Sequence, residues 1–536
     1  MLYFIPAWYE NNQWCEHEQC WQERRMHTEF DDTVKHIQLF HRKHPHPYQI
    51  LLLSYAPNFR HFLHRQSVYH APYWSCFDAI QEIQREKTMV LSFHNLTWPE
   101  DIEYLHTPYV VVAMRKGVKY AQVEFGEDGN MIRIEMYKGN QVYRRNIYDD
   151  RGFVSSTILY ENGEPVYQDY LMENGEWKLR HFLREGRVEV NPKHPDYLLS
   201  LPDEKIKNRF SQLQYDSLEQ VIQEVFAAYA EHTDSSAAFC IAMHEQHAKL
   251  LQNVLTGKRK TVLSFYLDRY EPAKHPETLQ MMRKADYIIT DSKEASGRII
   301  GMDGRLSSKI TDITPYDTRV DLGISQQLSV QKILVPVDGL SENMLSQLIL
   351  CFGKYLSTND RVRIHLFTRD AGYERPRYLL QYVKTQLNEA GMREDWVSVA
   401  DEATDEMNLL DEESPIRFFV EQCVDELSVS KCMKEQRVIV DMRKMPELYL
   451  QISAISMGIP QIVCTRTQFV EDRKNGLIIK KVSALPKALD FYLGGLANWN
   501  QAVVASYELG QKFSTSVLID KWKEVIAGVD DENVKN

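Results

Sequence analysis

The sequence predicts an α/β protein with two lobes on parallel sheets, an antiparallel β-sheet domain inserted into the first lobe, and a C-terminal helix crossing back. Three observations predict this. Continuous apolar runs such as "YQILLLSYA" and "KTVLSFYL" fit strands buried on both faces, and they alternate with helical spacing in both halves of the 536-residue chain. From about Tyr109 to Val190 the runs shorten, take a period of two, and are punctuated by "GEDGN", "YKGN", "YDDRG", "YENGE" and "MENGE". The end of the chain returns to helical spacing, broken at "KFSTS".

In order, residues 1–105 open the first lobe. "LYFIPAWY" reads as a strand, and "FDDTVKHIQLFHRK" as a helix with Val34, Ile37, Leu39 and Phe40 near its apolar face. "YQILLLSYA" follows as a buried strand and "YWSCFDAIQEIQ" as a helix, which is βαβ grammar. Residues 106–195 form the insertion. Its turn glycines, Gly129, Gly139, Gly152, Gly163 and Gly175, recur every ten to thirteen residues, and "MIRIEMY" and "EWKLRHFL" alternate between two faces. Residues 196–328 complete the first lobe: a helix carrying Leu218, Ile222, Val225 and Phe226, the strands "AAFCIAM" and "KTVLSFYL", and "MMRKADYIITDS" running from helix into strand. A polar stretch from Asp303 to Ser329 is expected to bridge the lobes. Residues 329–496 form the second lobe, opening with "VQKILVPVDGLSENMLSQLILCFGKYL", in which Ser341 is the expected N-cap. "RVRIHLFT", "WVSVA", "QRVIVDM" and "PQIVC" supply further strands, and residues 497–530 form helices packing back on the first lobe.

Composition narrows the function. A net charge of −12 disfavours non-specific contact with nucleic acid or anionic lipid over most of the surface. The apolar runs are shorter than a membrane span, and "MLYFIPAWYENN" lacks the leading Lys or Arg of a signal peptide, so a cytoplasmic location is expected. Eight scattered cysteines fit reduced thiols. "WCEHEQCW" gathers Cys15, His17 and Cys20, with His41, His44 and His46 further on. A fourth ligand at metal spacing is missing, and a polar loop is the expected reading. The run from Asp401 to Pro415 has seven acids and no base; it reads as a solvated loop, with a docking surface for a basic partner as the alternative. Neither a P-loop nor a Gly-x-Ser-x-Gly elbow is spelled in the chain.

The informative stretch is "PELYLQISAISMGIPQIVCTRTQFVEDRKNGLII", Pro446–Ile479. It reads as helix, Gly-x-Pro turn, strand, acidic Asn-Gly turn and short strand. A helix so placed points its N-terminus across an α/β cleft, yet Leu448 to Cys464 contains no acid, Lys or Arg. With "ADYIITDS", "MGIPQIV", "EDRKNGLII" and "SYELGQKFSTSVLIDKWKEVI", this resembles retaining glycosyltransferases of the two-Rossmann GT-B type. The resemblance implies a glutamate beside the donor sugar and, eight positions on, a second that binds ribose hydroxyls. Counted back from Gly458 and Pro460, those positions hold Met445 and Ser453. Glu447 is two residues from the first; a shifted register would recruit it. The resemblance also implies an Arg and a Lys after the first strand of the second lobe, where "VDGLSENM" offers Asp338 and Glu342 instead. Nor does "FIPAWYENNQWCE" contain the Gly-rich turn of the first lobe. The expectation is a degenerate site with no catalytic residue, cofactor or metal.

The insertion narrows the resemblance. "DDRGFVSS" and "ENGEPVYQDYLMENGEWKLRHF" resemble the extended β-sheet domain of glycosyltransferases that modify serine-rich repeat adhesins. With "YFIPAWY" and "EFDDTVKHIQLFHRK", the chain is most similar to the first of the accessory secretory proteins of the accessory Sec system. That resemblance implies a non-catalytic component of an export complex. Its implied partners are two other accessory secretory proteins (one a hydrolase-like acetyltransferase, one a small β-sandwich), a SecA-type motor and a serine-rich adhesin cargo. Nucleic acid is not among them, and peripheral contact with the membrane would come through those partners. Tyr143, Tyr167 and Trp177 on the insertion are candidates to stack on sugars or anchor a partner, against the alternative of hairpin packing. The competing functions are an active retaining glycosyltransferase using reassigned acids, Glu447 or Glu471, and a stand-alone glycan-binding lectin.

Overall fold

A computed structural model describes residues 1–21, 30–43, 46–255, 257–267, 269–399 and 415–531. His44 and the acidic run up to residue 414 lie outside the described residues. Seven parallel strands form the first sheet, in the order Ile310–Asp312, Tyr287–Thr290, Lys260–Phe265, Ala238–Ala242, Leu2–Ile5, Tyr48–Leu52, Tyr73–Ser75. Seven more form the second: Val397–Val399, Phe418–Gln422, Val362–Thr368, Gln331–Pro336, Gln436–Asp441, Gln461–Val463, Gly476–Ile478. Strands such as Tyr48–Leu52 and Ala238–Ala242 are buried throughout because helices cover both faces, which is why their sequences are apolar without alternation. Ser341 caps the helix Glu342–Leu356, accepting from the Met344 amide at 3.3 Å.

Two elements differ from expectation. "YWSCFDAIQEIQ" is not one helix: Tyr73–Ser75 is an edge strand and the helix runs Cys76–Gln81. Ser75 decides the switch, its hydroxyl accepting from the Asp78 amide at 3.2 Å. Ile310–Asp312, inside the supposed linker, pairs with Tyr287–Thr290 as the last strand of the first sheet. Three residues are too short to show a period.

The insertion is a ten-stranded antiparallel sheet running from Ile102 to Tyr215, past the expected end at residue 195. The extra length is a hairpin of Asp196–Ser200 with Lys205–Arg209 and the two-residue strand Gln214–Tyr215, both too polar or short to read. All five turn glycines have positive φ, from 59° at Gly139 to 85° at Gly152 and Gly175. A buried ionic network fastens the sheet to the first lobe. Arg60 pairs with Asp150 and lies 3.4 Å from Asp149; Arg151 reaches Asp149 and Asp78, both at 2.7 Å. The C-terminal helix Thr515–Asp531 returns to the first lobe, where Trp522 is fully buried between Phe4, Phe40 and His36.

Candidate functional site in the interlobe cleft

The carboxyl ends of both parallel sheets face one another, which is where open α/β sheets bind ligands. Across this gap the lobes share an apolar cluster. The first lobe contributes Phe30, Tyr266 and Tyr316; the second contributes Leu334, Phe367, Leu448, Tyr449 and Ile452, with Phe469 and Phe513 at its margin. Phe30 is the centrepiece. Its carbonyl accepts from the hydroxyls of Tyr266 at 2.6 Å and Tyr316 at 2.8 Å, and its ring meets Tyr449 edge-on at 5.2 Å. Burial holds both phenols well above their ordinary pKa, so they remain hydrogen-bond donors. Tyr449 belongs to the first turn of the helix Leu448–Met457, whose buried Leu448, Leu450, Ile452 and Ile455 account for its apolar sequence. The N-terminus of that helix meets aromatic rings of the opposite lobe.

Met445 is half exposed in the turn before this helix, and Ser453 is buried within it. Ser453 lines a groove of about 570 Å³ bordered by Lys35, Tyr316, Glu426 and Tyr449. Lys35 and Glu426, from opposite lobes, form an ion pair there. Glu447, the shifted-register candidate, is committed to Arg369 at 2.8 Å, and burial pushes its carboxyl up while Arg369 pulls it down. Glu471 lies at the surface between Lys474, at 2.9 Å, and Lys512, at 3.2 Å, which hold its carboxyl low.

The phosphate side is richer in cations than "VDGLSENM" alone indicated. Arg369 follows the strand Val362–Thr368, Arg375 lies in the first turn of the helix Glu374–Glu389, and Arg443 follows the strand Gln436–Asp441. Each faces an internal carboxylate: Arg369 with Glu447, Arg375 with Asp338 at 3.3 Å, Arg443 with Asp441 at 2.7 Å. Asp338 also accepts from the Arg369 amide at 2.6 Å and from the Thr368 hydroxyl at 2.8 Å. The Phe30 ring covers the Arg369 guanidinium at 3.6 Å. Sequence reasoning examined one turn and missed these arginines. The signal was present in "TRDAGYERPR", since every strand end on that edge of a parallel sheet faces the same cleft.

On the first lobe, Asp31 caps the helix Asp32–Arg42 and sits with Asp32 against Arg269, at 3.0 and 2.5 Å. Trp8 donates to Asp31 at 3.2 Å and Ser264 to Asp32 at 2.7 Å. Burial, then the charge of Asp32, pushes the Asp31 carboxyl up to about 6, against the pull of Arg269. A raised acid stabilises the fold below its unfolded pKa and loses that contribution as pH rises through the folded value. Asp31→Asn removes this term. Relative to the parent, the variant is expected to gain stability between about pH 4 and pH 6, by at most ~3 kcal/mol. Denaturant melts of both proteins at pH 4, 5, 6 and 7 check the sign; a constant difference contradicts it.

The cysteine-histidine cluster does not assemble as written. Cys15 and His17 stay together, His17 Nδ1 lying 2.9 Å from Glu10, but Cys20 is buried elsewhere against Glu124 and Arg133. On the insertion, Tyr167 and Trp177 flank the Arg180 guanidinium at 4.1 and 5.1 Å, and Lys138 covers Tyr143 at 4.9 Å. Those rings thus take part in packing within the sheet. Tyr167 and Trp177 also line a groove of about 740 Å³ with Arg144, Asp169, Glu176 and Lys193. Among the described residues no helix is long and apolar enough to cross a membrane.

Two facing parallel lobes, an antiparallel insertion and a returning C-terminal helix define a GT-B glycosyltransferase-like fold. The pneumococcal O-GlcNAc transferase GtfA, solved with UDP and GlcNAc, has this fold, with TM-score 0.62, 13% identity and 99% of each chain covered. The chain belongs to the Accessory Sec system protein family of the first accessory secretory protein, whose family model matches residues 1–528. Members from Streptococcus gordonii and Staphylococcus aureus are 31% and 32% identical, each over 99% of this chain and their full length. The crystal structure of accessory secretory proteins 1, 2 and 3 in Streptococcus pneumoniae matches over 100% of both chains, with 29% identity and TM-score 0.80.

Proposed function

We propose that this chain is a non-catalytic component of accessory Sec export. It works in a complex with two other accessory secretory proteins, one a hydrolase-like acetyltransferase and one a small β-sandwich. Together they deliver a glycosylated serine-rich adhesin to a dedicated SecA-type motor. Family membership and the likeness to a structure of three accessory secretory proteins support the complex; cargo and motor rest on the family resemblance.

One observation carries the non-catalytic reading. Met445 and Ser453 stand where the resemblance puts the two glutamates, and Arg369, Arg375 and Arg443 each already face an acid of this chain, with Arg369 Nη1 and Arg375 Nε left without a hydrogen-bond partner among the described residues. A diphosphate entering here would have to compete with those carboxylates for the arginines. The test is reconstitution. Co-expressed with the two candidate partners, the chain is expected to elute with both as one species in size-exclusion chromatography. Separate elution at micromolar concentration would contradict the proposal.

A further inference from the structure

We propose that Glu421, Cys423 and Cys432 form a binding site for a thiophilic divalent cation of the zinc type. The three donor atoms lie within 4.8 Å of one another. Glu421 and Cys423 sit two apart at the end of the strand Phe418–Gln422, so the strand's period places both side chains toward the same face. Cys432 comes from the helix Glu426–Lys434 that packs over that strand end. Tetrahedral zinc, with Zn–S near about 2.3 Å and Zn–O near about 2.1 Å, separates such donors by roughly 3.5–3.8 Å. Small side-chain adjustments close the difference.

The surroundings support a metal site over a chance meeting of thiols. His365 Nδ1 lies 2.6 Å from one Glu421 oxygen, the carboxylate–histidine pairing that orients ligands from behind. This leaves the second oxygen for an ion. Gln436, 1% exposed, places its amide nitrogen 3.9 Å from Cys432 Sγ, and its Oε1 has no hydrogen-bond partner among the described residues. The Gln436 amide nitrogen also donates to the Cys432 carbonyl at 3.0 Å, which fixes the backbone beside that thiol, and a solvent molecule would complete four-coordination. Two thiolates and a carboxylate exceed a divalent ion by one negative charge; the Lys332 ammonium, itself paired with Glu435, is near enough to act on both Glu421 and Cys432.

The site's location gives it a consequence. The helix Glu426–Lys434 presents Glu426 to Lys35 of the other lobe, and its Val429 and Met433 join the apolar cluster across the cleft. A metal tying Cys432 to the sheet would hold that wall of the cleft in place. The inference is independent of the export reading, since either can fail alone.

The test uses the full chain, reduced and stripped with a chelator, then titrated with cobalt(II) alone. A tetrahedral cobalt–thiolate spectrum saturating at one equivalent and displaced by zinc is expected. Cys423→Ser and Cys432→Ser are expected to abolish it, Cys15→Ser to leave it intact, and His365→Gln to weaken affinity about 10–100-fold. Because a serine variant can misfold, alkylation mass spectrometry on the parent provides a second readout: zinc is expected to protect Cys423 and Cys432 from iodoacetamide at least tenfold. Absence of the thiolate spectrum, its persistence in both serine variants, or equal alkylation with and without zinc would overturn the proposal. So would recovery of the pair as a disulfide that binds no cobalt after reduction.

Discussion

Asp149→Ala is expected to destabilise the junction between the first lobe and the antiparallel sheet by about 3–5 kcal/mol, because it strands two buried guanidinium groups. Asp149 is 4% exposed and is approached by Arg60 at 3.4 Å and by two nitrogens of Arg151 at 2.7 and 2.8 Å. Those arginines hold its carboxyl below the usual range, the signature of an acid that must stay ionised where it is buried. Asp150 and Asp78 remain to face Arg60 and Arg151, but they cannot take over the bonds that Asp149 makes to both. Calorimetry is expected to show the variant's first transition moved to lower temperature. Proteolysis should cut first within residues 102–215 while the second lobe stays intact. An unshifted transition would mean that the other contacts, such as Tyr170 of the sheet against Tyr55 and Phe77 and the Lys178–Glu82 pair, suffice to hold the sheet.

Phe30→Ala is expected to be the most damaging single change in the cleft, at about 3 kcal/mol or more. It removes the ring that meets Tyr449 and covers Arg369, while leaving the carbonyl that Tyr266 and Tyr316 donate to. The loss is mostly apolar contact between lobes. The variant should therefore unfold with its two lobes less coupled, seen as separation of one calorimetric transition into two. A control at the surface, Val90→Ala, should melt with the parent, since that side chain is 96% exposed. Equal melting of Phe30→Ala and parent would mean the ring is not what joins the lobes.

Much of this architecture is legible in the residues. Buried strands such as "YQILLLSYA" announce themselves because both faces are covered, and the insertion announces itself through turn glycines that need positive φ. Pairings made over long sequence distances are not legible. Arg369 meets Glu447 across 78 positions, and Phe30 meets Tyr449 across a larger gap, so no local period reports either. Spacing to Gly458 and Pro460 assigns Met445 and Ser453 to the two glutamate positions by resemblance alone; the aromatic contacts around that helix were not readable. Short strands failed for a different reason: Tyr73–Ser75 and Ile310–Asp312 are held by neighbours rather than by their own pattern.

The central claim is that the cleft is occupied by the protein's own aromatic and ionic contacts in place of a sugar nucleotide. Isothermal titration of the intact chain with UDP-GlcNAc tests it most directly, with Met445→Glu/Ser453→Glu run beside the parent. The account predicts no saturable heat for the parent up to millimolar donor, and none for the double variant, because Phe30 and the paired arginines are unchanged in both. Saturable micromolar binding by the parent would contradict it.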